Sequence, residues 1–222
     1  MSGLFRYDGP VVTFFMKLGD MIILHVLWLL CCLPVVTIGP ATVAAHYVAL
    51  KLVRDEGRSV RQMFFKSFKQ NLRQGIPLGL ICLGTGGLLG LDLYLCVFKM
   101  EGSNMFKLVM TAALIFLTVL YLITMLYVWA VMARFENTIR RTLLNAFLLG
   151  LSNWGATSTM LLLDILIGGA AFLSVAFLPQ AAVVFAFFGV PLLFVVNAFK
   201  LRPVLDRCEE AARIANRSEK EE

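Results

Sequence analysis

The chain has 222 residues, 59% of them hydrophobic and 15% charged, with a mean hydropathy of +0.83. Soluble domains carry about a quarter charged residues, so this composition leaves little polypeptide for a soluble domain and indicates an integral membrane protein. The net charge of +6 has no nucleic-acid recognition module beside it, so no nucleic-acid partner is expected.

The first apolar run, Leu18 to Leu50, contains no Lys, Arg or Glu, and Asp20 is its only acidic residue. Asp8, Gly9, Pro10 and Lys17 precede it and no small-residue cleavage site follows, so no removable targeting segment is expected. The run is interrupted by Cys31-Cys32-Leu33-Pro34-Val35-Val36-Thr37-Ile38-Gly39-Pro40. Pro34 and Pro40 each lack a donor and disfavour helix at the residue before them. Helices are therefore expected over 18–34 and 40–55, joined by a stiff turn at the outer surface. Pro40 fits the first turn of the second helix, and Thr37 or Gly39 is placed to cap it. Fully helical, the roughly 38 residues would reach about 57 Å, nearly twice the hydrocarbon thickness. The segment is either two short crossings or one crossing with a re-entrant piece.

Ser59 to Arg73 is amphipathic at helical spacing. Val60, Met63, Phe64, Phe68 and Leu72 form one face, and Arg61, Lys66, Lys69 and Arg73 dominate the rest. With Phe65, this reads as a juxtamembrane helix that rests on anionic lipid or docks a cytoplasmic partner. Further helices are expected over 75–98, 107–134, 155–178 and 181–200, with a break at Leu178-Pro179-Gln180 and a kink at Pro191. Uninterrupted apolar runs exclude a barrel. The fold class is thus an all-α polytopic membrane protein with five to six spans, a broken first hairpin, one domain over 1–200 and a polar tail over 201–222. Lys51 to Arg73 carries seven cations against two acids, and the loop near 138 and the tail are also basic. These alternate as the positive-inside rule requires and place the C-terminus in the cytoplasm. Tyr47–Glu56 and Ser59–Phe68 are echoed by Tyr127–Glu136 and Thr138–Phe147, a candidate parallel repeat over 47–98 and 127–178.

Reaction signatures are absent: there is no phosphate loop, no Gly-x-Ser-x-Gly and no His-Glu-x-x-His. No catalytic residue, cofactor or metal is expected, and the chain is read as a non-enzyme. His25 and His46, the only histidines, have no adjacent carboxylate and read as buried hydrogen-bonding groups. The five cysteines form no Cys-x-x-Cys pair and read as reduced thiols. Gly86-x-x-x-Gly90 is a helix-packing spacing. Asp164, the deepest ionisable residue, is either a coupling site for a proton or cation or a packing carboxyl bonded to Thr157, Ser158 or Asn197. Asp20 is expected to pair with Lys17, and Asp92 to reach the outer interface.

Trp28-Leu29-Leu30, Leu33-Pro34-Val35-Val36-Thr37-Ile38-Gly39-Pro40-Ala41-Thr42 and Phe64-Phe65-Lys66-Ser67-Phe68-Lys69-Gln70-Asn71 together resemble the YesL family of bacterial membrane proteins. The resemblance implies a multi-span protein of the bacterial cytoplasmic membrane with unassigned activity. It also implies an association with carbohydrate ABC importers, whose permease subunits become candidate partners, alongside the bilayer and a homo-oligomer. The Glu-Ala-Ala motif of the permeases themselves is missing from the loops at 51–74 and 134–154. An accessory or regulatory importer subunit is the expectation. The alternative is a small-solute transporter or channel using Asp164 within the bundle, supported by the candidate repeat and the broken helix; His25, His46, Pro34, Thr37, Gly39 and Pro40 are the other candidate functional residues.

Overall fold

Pro34 follows the end of the first helix and Pro40 sits in the first turn of the second, where its missing N–H costs nothing. The computed structural model describes residues 10–56, 59–99, 104–177 and 179–221, so Arg6, Arg58, Glu101 and Leu178 lie outside the described residues. Every regular element among these is helical: α1 (Pro10–Cys32), α2 (Ile38–Val53), α3 (Val60–Phe98), α4 (Asn104–Arg134), α5 (Ile139–Ser152), α6 (Trp154–Phe177) and α7 (Pro179–Glu221). One 3-10 turn, Val35–Thr37, joins α1 to α2. Five of the described helices, α1 to α4 and α6, are long and apolar enough to cross a bilayer.

Two boundaries differ from expectation. The basic segment and the following span are a single helix of 39 residues, α3, which runs through Pro77. The missing N–H of Pro77 releases the carbonyl of Arg73, four residues earlier, where the helix is still polar and that carbonyl can be solvated. α7 likewise passes through Pro191 and Pro203. Its residues beyond 200 begin in the core rather than as a tail, because Leu201 and Leu205 are fully buried and Val204 nearly so.

α2 is the centre of the bundle, flanked by α1, α3, α4 and α7. Its small side chains, Ala41, Ala44, Ala45 and Ala49 with Val43 and Val48, are completely buried. Small residues let helix backbones approach where lipid supplies no hydrophobic drive between helices. The closest approach is at the α2 N-terminus. A Cβ at Gly39 would collide with the Gly75 carbonyl oxygen, one at Gly75 would lie 2.9 Å from the Pro40 Cα, and one at Gly79 would lie 2.8 Å from the Gly39 Cα. Gly75-x-x-x-Gly79 is thus the packing motif of α3. Of the expected Gly86-x-x-x-Gly90 pair, Gly86 holds the Tyr121 hydroxyl and Gly90 faces open space.

This seat sets depth. With Gly39 seated on Gly75 and Gly79, α2 lies beside residues 60–79 of α3. The next 19 residues of α3, 80–98, run on for about 28 Å, close to the roughly 30 Å of hydrocarbon. The α1–α2 turn therefore lies beside the middle of α3, about 28 Å short of the C-terminal end of that helix. Arg61, Lys66, Lys69 and Arg73 are exposed along the length shared with α2, and exposed cations favour a polar surface over hydrocarbon.

Gly79→Ala is expected to push α2 off α3 at the overpacking cost of about 1–3 kcal/mol. Gly84→Ala, which has open space around it, is expected to leave stability unchanged or slightly raised. Fluorescence-monitored melting of both variants in mild detergent checks the difference.

Candidate functional site

The turn that interrupts the first apolar run keeps its backbone satisfied from within. The Thr37 hydroxyl faces the carbonyls of Cys31 at 2.6 Å and Pro34 at 2.8 Å, and the Thr37 N–H donates to Pro34 at 2.9 Å. Thr37 thus serves the carbonyl end of α1. It does not cap α2 with its side chain, in contrast to the sequence expectation. Leu33 and Val35 are 78% and 63% exposed. Apolar side chains outside and a self-satisfied backbone inside are what contact with lipid demands.

Behind the turn, His25 and His46 are brought into one polar and aromatic cluster at the junction of α1, α2 and α7. His25 stacks on Trp28 with ring centroids 6.0 Å apart. Phe194 lies edge-on to Trp28 at 5.7 Å and to His46 at 5.0 Å. Trp28 donates its indole N–H to the Thr42 hydroxyl at 3.3 Å, which in turn donates to the Ile38 carbonyl at 2.8 Å. His46 Nδ1 is 2.9 Å from the Thr42 carbonyl. Both imidazoles are buried, His25 against the indole it stacks on and His46 between an aromatic edge and the Thr42 carbonyl. No group of three or more metal-ligating side chains occurs among the described residues, and all five cysteines are free thiols.

One turn along α7 from Phe194, Asn197 meets Asp164 of α6. The amide Nδ2 reaches both carboxylate oxygens, at 3.0 and 3.3 Å. Asn197 was one of three partners open from the sequence. Thr157 instead exchanges a hydrogen bond with the Tyr127 hydroxyl at 2.9 Å and donates to the Gly150 carbonyl at 2.7 Å. Ser158 turns back to its own helix. The Asn197 carbonyl oxygen is buried and has no hydrogen-bond partner among the described residues, and no described cation forms an ion pair with Asp164. The pair therefore offers acceptors in excess of donors.

On the basic side, helices α2 and α4 end in Arg54 and Arg134, which occupy matching places in the two echoing segments. Both guanidinium groups bond to the same carboxylate oxygen of Asp206 on α7, Arg134 at 2.6 Å and Arg54 in a shorter contact. Arg134 also bonds to Glu209, and Arg202 donates to the Val53 carbonyl at 3.3 Å. The side chains of Arg54 and Arg134 are only 20% and 14% exposed. The segments themselves agree up to a point: Ser59 and Thr138 both precede their helices in extended conformation, and Ser67 and Ala146 are both buried. They part afterwards, since α3 is continuous whereas α5 and α6 are separated at Asn153. Asp206 and Glu209 were not singled out in the sequence, where they look like ordinary charges of a tail.

The amphipathic half of α3 divides along the two faces expected from the sequence, with Val60, Met63, Phe64, Phe68 and Leu72 turned into the bundle. Phe64 is fully buried and stacks on the partly buried Phe68 at 6.1 Å, so neither forms the docking face. That face consists of Arg61, Phe65, Lys66, Lys69 and Arg73, all exposed. Lys17 pairs with Asp55 at 2.7 Å rather than with Asp20, because the turn after α2 brings Asp55 against the start of α1. Asp92 is exposed near the C-terminal end of α3.

Comparison with protein families gives one match. The model described as "Protein of unknown function, DUF624", the family to which YesL proteins belong, matches residues 21–93. This stretch holds both histidines, the turn, the three packing glycines and the basic half of α3. Asp164, Asn197 and Asp206 lie beyond it. No curated protein and no solved structure matches the chain.

Removing the amide from the buried pair strands the carboxylate, so Asn197→Leu is expected to cost about 1–3 kcal/mol, and Asp164→Asn less. Thermal melting of the two variants gives the order. The hydrogen bond from Arg134 holds the Glu209 carboxyl below its ordinary value of 4.5, with burial opposing and the Arg134 charge assisting. Its contribution to docking of α7 is complete above pH 4.5 and is lost as pH falls through the lower folded value. Proteolytic release of the C-terminal segment is expected to accelerate in that acidic window, and in Asp206→Asn already at neutral pH. Limited proteolysis across pH measures both.

Proposed function

We propose that the protein is a non-enzymatic accessory or regulatory subunit of a carbohydrate ABC importer in a bacterial cytoplasmic membrane, with its C-terminus in the cytoplasm. The observation that carries the proposal is the exposed cationic face Arg61–Phe65–Lys66–Lys69–Arg73 on a helix continuous with a membrane span. A face on such a stem cannot detach and lie flat independently of the bundle. It runs beside the apolar helix α2 at the same depth, and it requires water, anionic headgroups or an acidic protein surface against it. An acidic surface on an importer subunit meets this requirement and agrees with the resemblance to the YesL family. A second copy of the chain presenting the same face would be repelled, which argues against self-association through it.

A second reading, a small-solute transporter or channel, draws on the Asp164–Asn197 pair with its surplus acceptor. In that reading Asp164→Asn alters solute movement in reconstituted vesicles, and unchanged movement removes Asp164 from the mechanism.

Affinity purification from cells in mild detergent separates the two. The accessory role predicts co-recovery of importer permease or ATPase subunits. It further predicts that Lys66→Glu with Lys69→Glu reduces this recovery by about tenfold or more at unchanged expression, as expected for loss of two charge pairs at an interface. Recovery of the protein without any importer subunit, or recovery unaffected by the double reversal, defeats the accessory reading.

A further inference from the structure

A cavity of about 630 Å³ lies between the start of α1, the end of α2 and the middle of α7, within the roughly 300–1,000 Å³ typical of ligand sites. Its walls are apolar: Leu18 and Met21 from α1, Leu52 and Val53 from α2, and Val195 and Phe199 from α7 contribute to them. Pro191 adds a ring in place of a backbone donor. Among the described residues, Lys17 and Asp55 alone bring charge to the lining. They face each other at 2.7 Å, with side chains 51% and 71% exposed. The neighbouring charges of the α2 end are committed elsewhere, Lys51 to Glu56 and Arg54 to Asp206.

Such a lining excludes sugars and ions and suits an amphiphile with one apolar arm. The charged end narrows the class further. A purely anionic headgroup drawn to Lys17 would meet the Asp55 carboxylate. A headgroup carrying both a phosphate and an ammonium matches the two residues at once, and it replaces a solvent-exposed ion pair that holds weakly. A primary ammonium can donate hydrogen bonds to Asp55, whereas a quaternary one cannot. Asp55 is also the one non-glycine residue among those described with left-handed backbone, at φ 54°. That turn folds the chain back after α2 and sets the carboxylate against α1.

We propose that this cavity is a binding site for one phospholipid with a primary-ammonium headgroup, of the phosphatidylethanolamine class. One acyl chain lies along the apolar wall, the phosphate engages Lys17 and the ammonium engages Asp55. The site is separate from the cationic face of α3, and the inference does not depend on the accessory role.

Native mass spectrometry of the full chain in detergent, offered phosphatidylethanolamine, phosphatidylglycerol and phosphatidylcholine at equal concentration, tests it. Phosphatidylethanolamine is expected to be retained about tenfold over the other two, the preference one charge-assisted contact supplies. Asp55→Asn, at an exposed position that does not support the core, is expected to bring the three lipids to parity. Val195→Trp, which fills the cavity, is expected to suppress retention of all three, whereas Leu88→Trp on the exposed flank of α3 leaves retention unchanged. Equal retention of the three lipids by the unaltered chain overturns the proposal, as does a preference that survives Asp55→Asn. Undiminished retention in a folded Val195→Trp protein removes the lipid from this cavity.

Discussion

Gly39 rests backbone against backbone on Gly75 and Gly79, and the position of almost everything else near α2 depends on that seat. A side chain at any of the three would separate the helices, and dispersion between close-packed atoms is what membrane helices have in place of a hydrophobic drive. With the seat in place, α2 is held in the middle of the bundle with its alanines facing four neighbours. Thr42 and His46, three and seven residues after Gly39, then point into the space shared with Trp28 and Phe194. The same seat places the preceding turn at its depth, and Pro34 and Pro40 keep that turn short.

At the opposite end, the bundle is closed by charge. Arg54 and Arg134 terminate the two helices that carry the echoing sequences, and Asp206 accepts from both. One carboxylate faces two guanidinium groups, with Glu209 beside it, so charges of both signs meet in a partly buried place. α7 therefore has two anchors of different kinds. Phe194 and Asn197 fasten it to the interior through an aromatic edge and an amide, and Asp206 and Glu209 fasten it to the ends of α2 and α4. The 43 residues of α7 stay one helix despite two prolines, because both stretches of it are held on either side of Pro203.

Much of this was legible in the sequence, and the exceptions have physical causes. Charge-free runs longer than a bilayer span are unambiguous, so the all-helical membrane fold could be read directly. Asp164 stood out because the only charge in a stretch of 58 residues must find a partner. The break at Pro34 and Pro40 followed from proline stereochemistry. Thr37 illustrates the limit: a hydroxyl at a helix junction can serve the N–H groups ahead or the carbonyls behind, and spacing does not choose between them. Gly75 and Gly79 were masked by Pro77, which made the stretch look like a joint between two helices rather than a packing surface within one. Gly86 and Gly90 had the same spacing without a partner backbone opposite. Lys17 has Asp20 three residues away, yet the turn at Asp55 brings a carboxylate nearer from 38 positions along the chain. Asp206 resembled a solvated charge until the ends of two helices met on it.

The arrangement also constrains how the chain sits in a bilayer. The flank formed by α1 and the turn is apolar and exposed, with Leu29, Leu30, Leu33 and Val35 outward, and it requires lipid. The flank formed by the first half of α3 is cationic and exposed, and it requires a polar surface. Both flanks stand beside α2 at one depth, so no slab perpendicular to the bundle satisfies them together. A tilted bundle meets both demands by lowering the cationic flank into the headgroups, where basic residues attract anionic lipid. A protein surface of opposite charge meets them without tilt. Either way the side chains Arg61, Lys66, Lys69 and Arg73 are completed by something other than this chain. The buried cluster of His25, Trp28, His46 and Phe194, by contrast, is built from within. The cationic surface that this fold leaves to be completed from outside is concentrated on one helix, α3, which Gly39 holds in place through Gly75 and Gly79.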